Sequence, residues 1–315
     1  MHKTTLSVEE WSEIRNPKGW PVSGTGFQPV RAGKLKAAHS SAGKAPTSGH
    51  QFGFRISHFF RISIFGIRNF LFLLLPLLVL AAPATAESRT NQTRVLIVTG
   101  VDYPAHEWRK TAPVLKEILE QGGGTDVRVV EDPVFLDSAA LTNYHAVLLH
   151  FQNWEVPGPG PAARENLRRY VANGGGLVSV HFACGAWHGE WPEFAGILGR
   201  VWRGTNGSQH DRRGPFKVEI VDKDHPVTHG LSDFETDDEL YTCLVGDAPI
   251  HLLAQAKSKV DQQNHPQAYV RDYGQGRVFL TTLGHDVRAY TNSVVPQLIR
   301  QGTAWAARRA APPKR

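Results

Sequence analysis

Four histidines fall at the ends of apolar runs, beside the side chains that acid–base or metal chemistry requires. RVLIVTG (94–100) leads into VDYPAHEW, which carries His106 and Trp108. YHAVLLHF ends near His150 and is followed by Gln152, Asn153 and Trp154. GLVSVHF ends at His181 and runs into ACGAWHG, with Cys184 and Trp187. GRVFLTTLG is followed by His285 and Asp286. An imidazole titrates near neutrality, so it can pass a proton or ligate a divalent ion as the neutral base. Scattered surface histidines would not sort to the ends of apolar runs, so these positions mark a site, with His181 and His285 as its leading functional candidates.

Two further stretches lie between the fourth run and the last. TNGSQHDRRGP carries His210 and Asp211, and ETDDELYTC carries Glu239 and Tyr241. A carboxylate among histidines suits general acid–base work or a divalent metal. The metal candidates are His181, His210 and Glu239, and the candidate ions are zinc and manganese. There is no H-E-x-x-H, and ligands drawn from distant loops leave no spacing to check. Asp237 and Asp238 read as a solvated charge run. His225 precedes a proline in a turn, His145 is an edge or capped residue, and His229, His251 and His265 are assigned to the surface. Trp187, Trp191 and Trp202 are either core packing or an aromatic wall for a sugar face, with Trp187 the leading candidate because it lies nearest the turn.

The elements that must position these residues alternate. Arg94–Gly100 is a buried strand, and WRKTAPVLKEILEQGGG is an amphipathic helix stopped by glycines. DVRVVE and YHAVLLHF are the second and third strands, AARENLRRYVANGGG a second helix, and Gly176–Phe182 a fourth strand. Connections of this length imply right-handed crossovers and a parallel sheet. The later half is richer in strands, with FKVEIV, PIHLLAQA and a hairpin AYVRDYGQGRVFLTTL that turns at Tyr273–Gly276. A helix from Val294 to about Arg308 closes the chain. The expected fold is a doubly wound, flavodoxin-like α/β sheet with an antiparallel C-terminal extension. Ligands of such sheets bind beyond the carboxyl ends of the strands, where the histidines fall.

The N-terminal part is read separately. Arg61 and Arg68 precede an apolar run, Phe70–Ala82, and Ala84-Thr85-Ala86 supplies an A-x-A end. That pattern is a secretory signal peptide over 61–86, cleaved after Ala86. The run is too short to span a bilayer and Pro76 interrupts it, so no stable membrane span is expected after cleavage. Export to the periplasm or beyond follows. Residues 1–60 have no hydrophobic period and read as a disordered or over-extended leader. Residues 87–315 then form one domain, with its core at about 94–308. The chain's 35 Lys+Arg and 29 Asp+Glu include 10 and 3 in residues 1–86, which leaves 25 against 26 in the rest. The positive charge belongs to the leader, so no nucleic-acid partner is indicated. A homo-oligomer stays open, as does a disulfide between Cys184 and Cys243.

GVDYPAHEW, GGGLVSVHFACGAW, DHPVTHGL, DELYTC and GRVFLTTLGHD, in that order, resemble the ThuA-like (trehalose utilisation) family over about 94–305. The resemblance implies a class I glutamine amidotransferase-like fold and a role in carbohydrate metabolism, on disaccharides or their keto derivatives. Its motif positions here are His106 and Trp108, His181, Glu239 with Tyr241, and His285 with Asp286. On that basis we expect an exported sugar-active enzyme, an isomerase, lyase or hydrolase. His181 and His285 would transfer protons, with Glu239 as carboxylate partner or metal ligand. His106, Trp108, Asn153, Trp187, His210, Tyr241 and Asp286 would contact the carbohydrate. A non-catalytic carbohydrate-binding or sensing module is the second reading. The third is a hydrolase using Cys184, but Phe182 stands where an amidotransferase elbow has glycine, and Asp286-Val287 replaces the expected glutamate after His285.

Overall fold

The computed structural model describes residues 92–204 and 207–309, all within one compact unit, Leu77–Arg315. The expected leader and signal peptide lie outside the described residues. The first half alternates strand and helix: β1 (Thr93–Val98), α1 (Trp108–Glu120), β2 (Thr125–Val130), β3 (Ala146–Leu149), α2 (Pro161–Ala172), β4 (Gly176–Val180) and a short α3 (Phe194–Leu198). The second half is mostly strand: β5 (Gln209–His210), β6 (Gly214–Ile220), β7 (Phe234–Asp238), β8 (Tyr241–Thr242), β9 (His251–Lys257), β10 (Asn264–Tyr273) and β11 (Gly276–Thr281), before α4 (Val294–Ala306).

Nine strands form one sheet in the order β2-β1-β3-β4-β11-β10-β9-β6-β7, and β5 pairs separately with β8. The first five in that order are parallel neighbours, and the remaining pairings are antiparallel. The expected α/β class, parallel core and antiparallel C-terminal side are all present. Strands β1, β3 and β4 are almost wholly buried and mostly apolar because helices cover both faces. Leu115, Ile118 and Leu119 of α1 and Leu298 and Ile299 of α4 pack on one face against Val95, Ile97, Leu148 and Val178. Leu167 and Val171 of α2 with Phe194 and Ile197 of α3 cover the other, against Leu96, Val147 and Leu177.

The β10–β11 hairpin pairs Tyr273 with Gly276 across two loop residues, and Gly274 has φ +58, which a tight connection of this kind demands. Because β7 runs parallel in direction to β11, both end at the sheet edge where β1, β3 and β4 also end. Strands β1, β3, β4, β7 and β11 therefore all deliver their following residues to that edge. Among the described residues, no helix is long and apolar enough to cross a membrane.

Candidate functional site

His181 is the first residue after β4, at the start of a short 3-10 turn, His181–Gly185. Its φ is +49, a left-handed conformation that is rare for a residue with a Cβ. The strained position at the end of this central strand belongs to His181, and Cys184 lies three residues on within the core. Strain of this kind persists where surrounding structure enforces it, commonly at functional sites. His181 is fully buried and donates Nδ1–H to the Thr282 carbonyl, which leaves Nε2 with its lone pair free. Thr282 is held in turn by Gln267, whose Oε1 accepts the threonine hydroxyl at 2.6 Å. Gln267 sits at a register irregularity in β10, where a bulge turns a polar side chain inward.

His106 reaches the same point from the loop after β1, stacked on Phe182 with ring centroids 4.6 Å apart. His285 arrives from the loop after β11. Glu239 follows β7, and the residue before it makes the link. The buried Asp238 carboxylate accepts N–H groups from Glu239 (2.8 Å) and His285 (3.0 Å) on Oδ1 and from Gly284 (2.7 Å) on Oδ2. Gly284 has φ +122, and a Cβ there would stand 2.6 Å from the Tyr290 hydroxyl, so only glycine brings this backbone so close. Asp238 thus fixes the edge strand's end to the loop bearing His285. The expectation of a solvated charge run at 237–238 holds for exposed Asp237 and fails for Asp238. In β7 residues 234, 236 and 238 face inward, and this period of two was the signal that marked Asp238.

One nitrogen from each of His106, His181 and His285 and an oxygen of Glu239 all lie within 4.8 Å of one another. The three imidazole centroids are 5.0–5.3 Å apart. Glu239 Oε2 is 3.5 Å from His181 Nε2 and 3.9 Å from His285 Nε2. Neither ring nitrogen of His106, nor Nδ1 of His285, nor Nε2 of His181 has a hydrogen-bond partner. Buried imidazole nitrogens without partners are uncommon, since each costs its desolvation energy. Burial, reinforced by the neighbouring histidines, holds His106 down to about 2 and His285 down to about 4, so both are neutral bases at physiological pH. Burial works to raise the Glu239 carboxyl, but the neighbouring His181 and the hydrogen bond from His210 outweigh it and hold the group ionised. Imidazoles with unpartnered nitrogens converging with an anionic carboxylate are the donor set a divalent zinc or manganese ion takes.

His210 sits differently from its expected place among the metal ligands. It is half exposed, and its Nδ1 lies 3.0 Å from both Glu239 Oε1 and the Asp211 carbonyl. Two acceptors on one nitrogen require a proton there, and the bond to Glu239 raises the pKa of His210. It therefore orients Glu239 from outside the donor set. Tyr241 packs on His181 at 4.4 Å between centroids. Asp286 pairs with Arg213 at 2.8 Å and with Arg288 at the margin.

Two expected substrate contacts, Trp187 and Asn153, lie away from the cluster, and a third, Trp108, is buried beside it. Trp187 is fully buried among Phe151, Trp191 and Phe194, with Nε1 donating to the Pro159 carbonyl, so it is core and not an accessible wall. Asn153 is buried and structural, accepting the Trp187 N–H and donating to Glu190. Trp108 is buried behind Phe182 and donates to Asp102. The aromatic residue that does reach solvent is Trp154, which the expected contacts omit. It lies against Tyr103, His188 and Trp202, and Trp202 in turn packs on Tyr241. Its place two residues beyond the buried Gln152, after the β3 end, was the available signal. A cavity of about 570 Å³ opens over His106, bordered by Asp102, Tyr103, Trp108 and Glu155. A larger one of about 740 Å³ lies by the residues that precede β3 and β4, at the far edge of the sheet from the cluster.

Both cysteines are free. Cys184 is fully buried, and burial pushes its thiol up to about 12, so the thiolate that a nucleophile needs is not available.

Residues 94–306 match the family model described as ThuA, trehalose utilisation. A solved ThuA-like protein from Parabacteroides merdae is 27% identical, with 71% of this chain and 93% of that chain covered and a TM-score of 0.63. A second ThuA-like structure, from Bacteroides uniformis, is 19% identical with a TM-score of 0.56 over 69% of this chain and 91% of that one, a likeness of fold. Comparison with curated proteins returns no match. The five ordered motifs, the strand-edge cluster they build and the family match over most of the described residues agree, and the chain belongs to the ThuA (trehalose utilisation) family.

Proposed function

We propose that this protein is a metal-dependent enzyme acting on a disaccharide or keto-sugar, with one divalent ion, zinc or manganese, held by His106, His181, His285 and Glu239. The observation that carries the reading is the set of unpartnered imidazole nitrogens facing an ionised carboxylate within 4.8 Å. An ion bound there would polarise a sugar carbonyl or a pair of hydroxyls. The chain's own residues supply the rest. Trp154 and Tyr103 offer flat apolar surfaces at the mouth for a sugar face, with Trp202 packed behind Trp154. His181 is locked in one tautomer by Thr282, so its free nitrogen points inward at all times. His210, outside the donor set and hydrogen-bonded to Glu239, is placed to relay a proton between the site and solvent. We also read residues 61–86 as an export signal removed after Ala86, which N-terminal sequencing of the secreted protein tests.

Elemental analysis of purified protein tests the metal reading. One equivalent of zinc or manganese, lost in both His181→Ala and Glu239→Ala, is the expected result. Wild-type protein that stays metal-free after incubation with either ion would refute it. Calorimetric titration with trehalose and its oxidised forms, alongside product analysis, then tests the substrate class. Sugar binding without turnover in the metal-loaded protein would replace the enzyme by a binding module.

A further inference from the structure

A second group of ligand-bearing side chains comes together away from the histidine cluster: Cys243, Asp261 and His265. They arise from three places, just after β8, in the turn between β9 and β10, and at the start of β10. One donor atom from each lies within 4.8 Å of the others. The sequence treats His265 as an isolated surface residue, but the fold gives it partners on both ring nitrogens. Nδ1 accepts the Cys243 N–H at 3.3 Å, and Nε2 lies 2.8 Å from Asp261 Oδ2. Asp261 is itself positioned, accepting the Gln263 N–H at 2.9 Å on its other oxygen. The turn is ordered by Ser258, whose hydroxyl accepts N–H groups from Val260 and Asp261 and donates to Asp211. Cys243 is exposed and has φ +53, a backbone state that a non-glycine residue adopts only when its surroundings enforce it.

We propose that Cys243, Asp261 and His265 form a second divalent-metal site, which takes a thiophilic ion, zinc by preference, with solvent completing the coordination. The ligand chemistry sets that preference. A thiolate and an imidazole suit zinc, whereas magnesium and calcium require oxygen ligands throughout. Binding involves no redox change. The thiol releases its proton to solvent, the imidazole proton moves from Nε2 to Nδ1 with loss of the long bond from the Cys243 N–H, Nε2 ligates as the neutral base in place of its bond to Asp261, and the carboxylate binds as the anion. The site also has a structural consequence. Gln267 Nε2 is shared between the carbonyls of Tyr241 and His265, at 3.3 and 3.2 Å, so β8 and β10 are already tied at this level. An ion spanning Cys243 and His265 clamps that junction and holds the segment bearing Glu239 and Tyr241 against the sheet.

The two sites are spectroscopically separable because the histidine cluster contains no sulfur and Cys184 is fully buried. The full chain, stripped with a chelator, is titrated with Co²⁺ and followed by the thiolate-to-cobalt charge-transfer band. The band should appear and saturate within two equivalents in the full chain, and at one in His181→Ala if the histidine cluster also binds the ion, and Cys243→Ser should abolish it while far-ultraviolet circular dichroism stays unchanged. His265→Ala should weaken the midpoint at least tenfold, since losing a mere outer-shell partner already costs about 10–100-fold. His181→Ala should leave the band in place, which keeps this result independent of the proposed enzyme site. Cobalt binding without the band, a band that survives Cys243→Ser, or a His265→Ala titration identical to wild type would each overturn the proposal.

Discussion

Replacing Asp238 tests whether one buried carboxylate couples the edge strand to the loop that carries His285. Three backbone N–H groups converge on its two oxygens, at 2.7, 2.8 and 3.0 Å. Hydrogen bonds to a charged acceptor contribute about 1.5–3 kcal/mol each, and a buried amide left unpaired costs about 1–3 kcal/mol. These contributions overlap, and burial, which drives the Asp238 pKa up, means that removing the charge returns some desolvation energy. Asp238→Ala should therefore cost about 4 kcal/mol, in the range for breaking a buried polar network. Asp238→Asn distinguishes the geometry from the charge. Its carbonyl oxygen can keep the bonds to Glu239 and His285, but its NH₂ group then faces the Gly284 N–H, donor against donor. The expected cost is about half that of alanine, roughly 2 kcal/mol. At about 2–4 °C per kcal/mol for a domain of this size, Tm should fall roughly 12 °C for alanine and 6 °C for asparagine. Urea unfolding with an unchanged m-value gives the free energies directly. Losses within about 0.5 kcal/mol of wild type, the range of ordinary surface changes, would show that Asp238 is not the tie described here.

Acid should destabilise the fold through the buried histidines. Burial holds His150 down to about 3, so the folded protein stays unprotonated while the unfolded chain takes up a proton below its ordinary value of 6.5. Stability from this group is complete above pH 6.5 and falls as pH drops toward 3, by about 2 kcal/mol between pH 7 and 5. His150→Gln should flatten that slope by close to one proton in urea melts at the two pH values, and an unchanged slope would contradict the assignment. Alkylation of native protein should modify Cys243 alone, with Cys184 reacting only after unfolding; two native equivalents by mass spectrometry would show that Cys184 is accessible. Trp154→Ala should weaken binding of whichever sugar the protein takes about tenfold, from the stacking energy of about 1.5 kcal/mol, with Tm unchanged. Undiminished affinity would remove Trp154 from the mouth.

The parallel half of the fold was readable because most of its strands are short β-branched apolar runs and its helices are followed by glycine. His181 and His285 could be placed on one edge by the rule that strand ends gather in such sheets. Glu239 could be picked only as an acid near histidines, since its approach depends on the pairing of β6 with β7, which has no local signature, and on Asp238, which only the period of two along β7 marks. Trp187 misled because proximity in sequence to the turn is not proximity in space: the 3-10 turn carries it into the core beneath α3. Trp154 was marked only by its place just after the end of β3, with no periodic signal. His265 looked isolated because its partners, Cys243 and Asp261, come from separate turns that the β8–β10 contact alone brings together.

The four donors His106, His181, Glu239 and His285 each follow a different strand, and β1 and β11 lie near opposite ends of the described chain. No fragment of the domain holds the full set, so a ligand of the cluster recognises only completely folded protein. Its occupancy then adds to the unfolding free energy by mass action, about 2.7 kcal/mol at a hundredfold excess over Kd. Supply of that ligand during biogenesis would draw nascent chains toward the native state and protect them from proteolysis. Starvation for it would appear first as lower abundance of the protein, before any change in the properties of the molecules that remain.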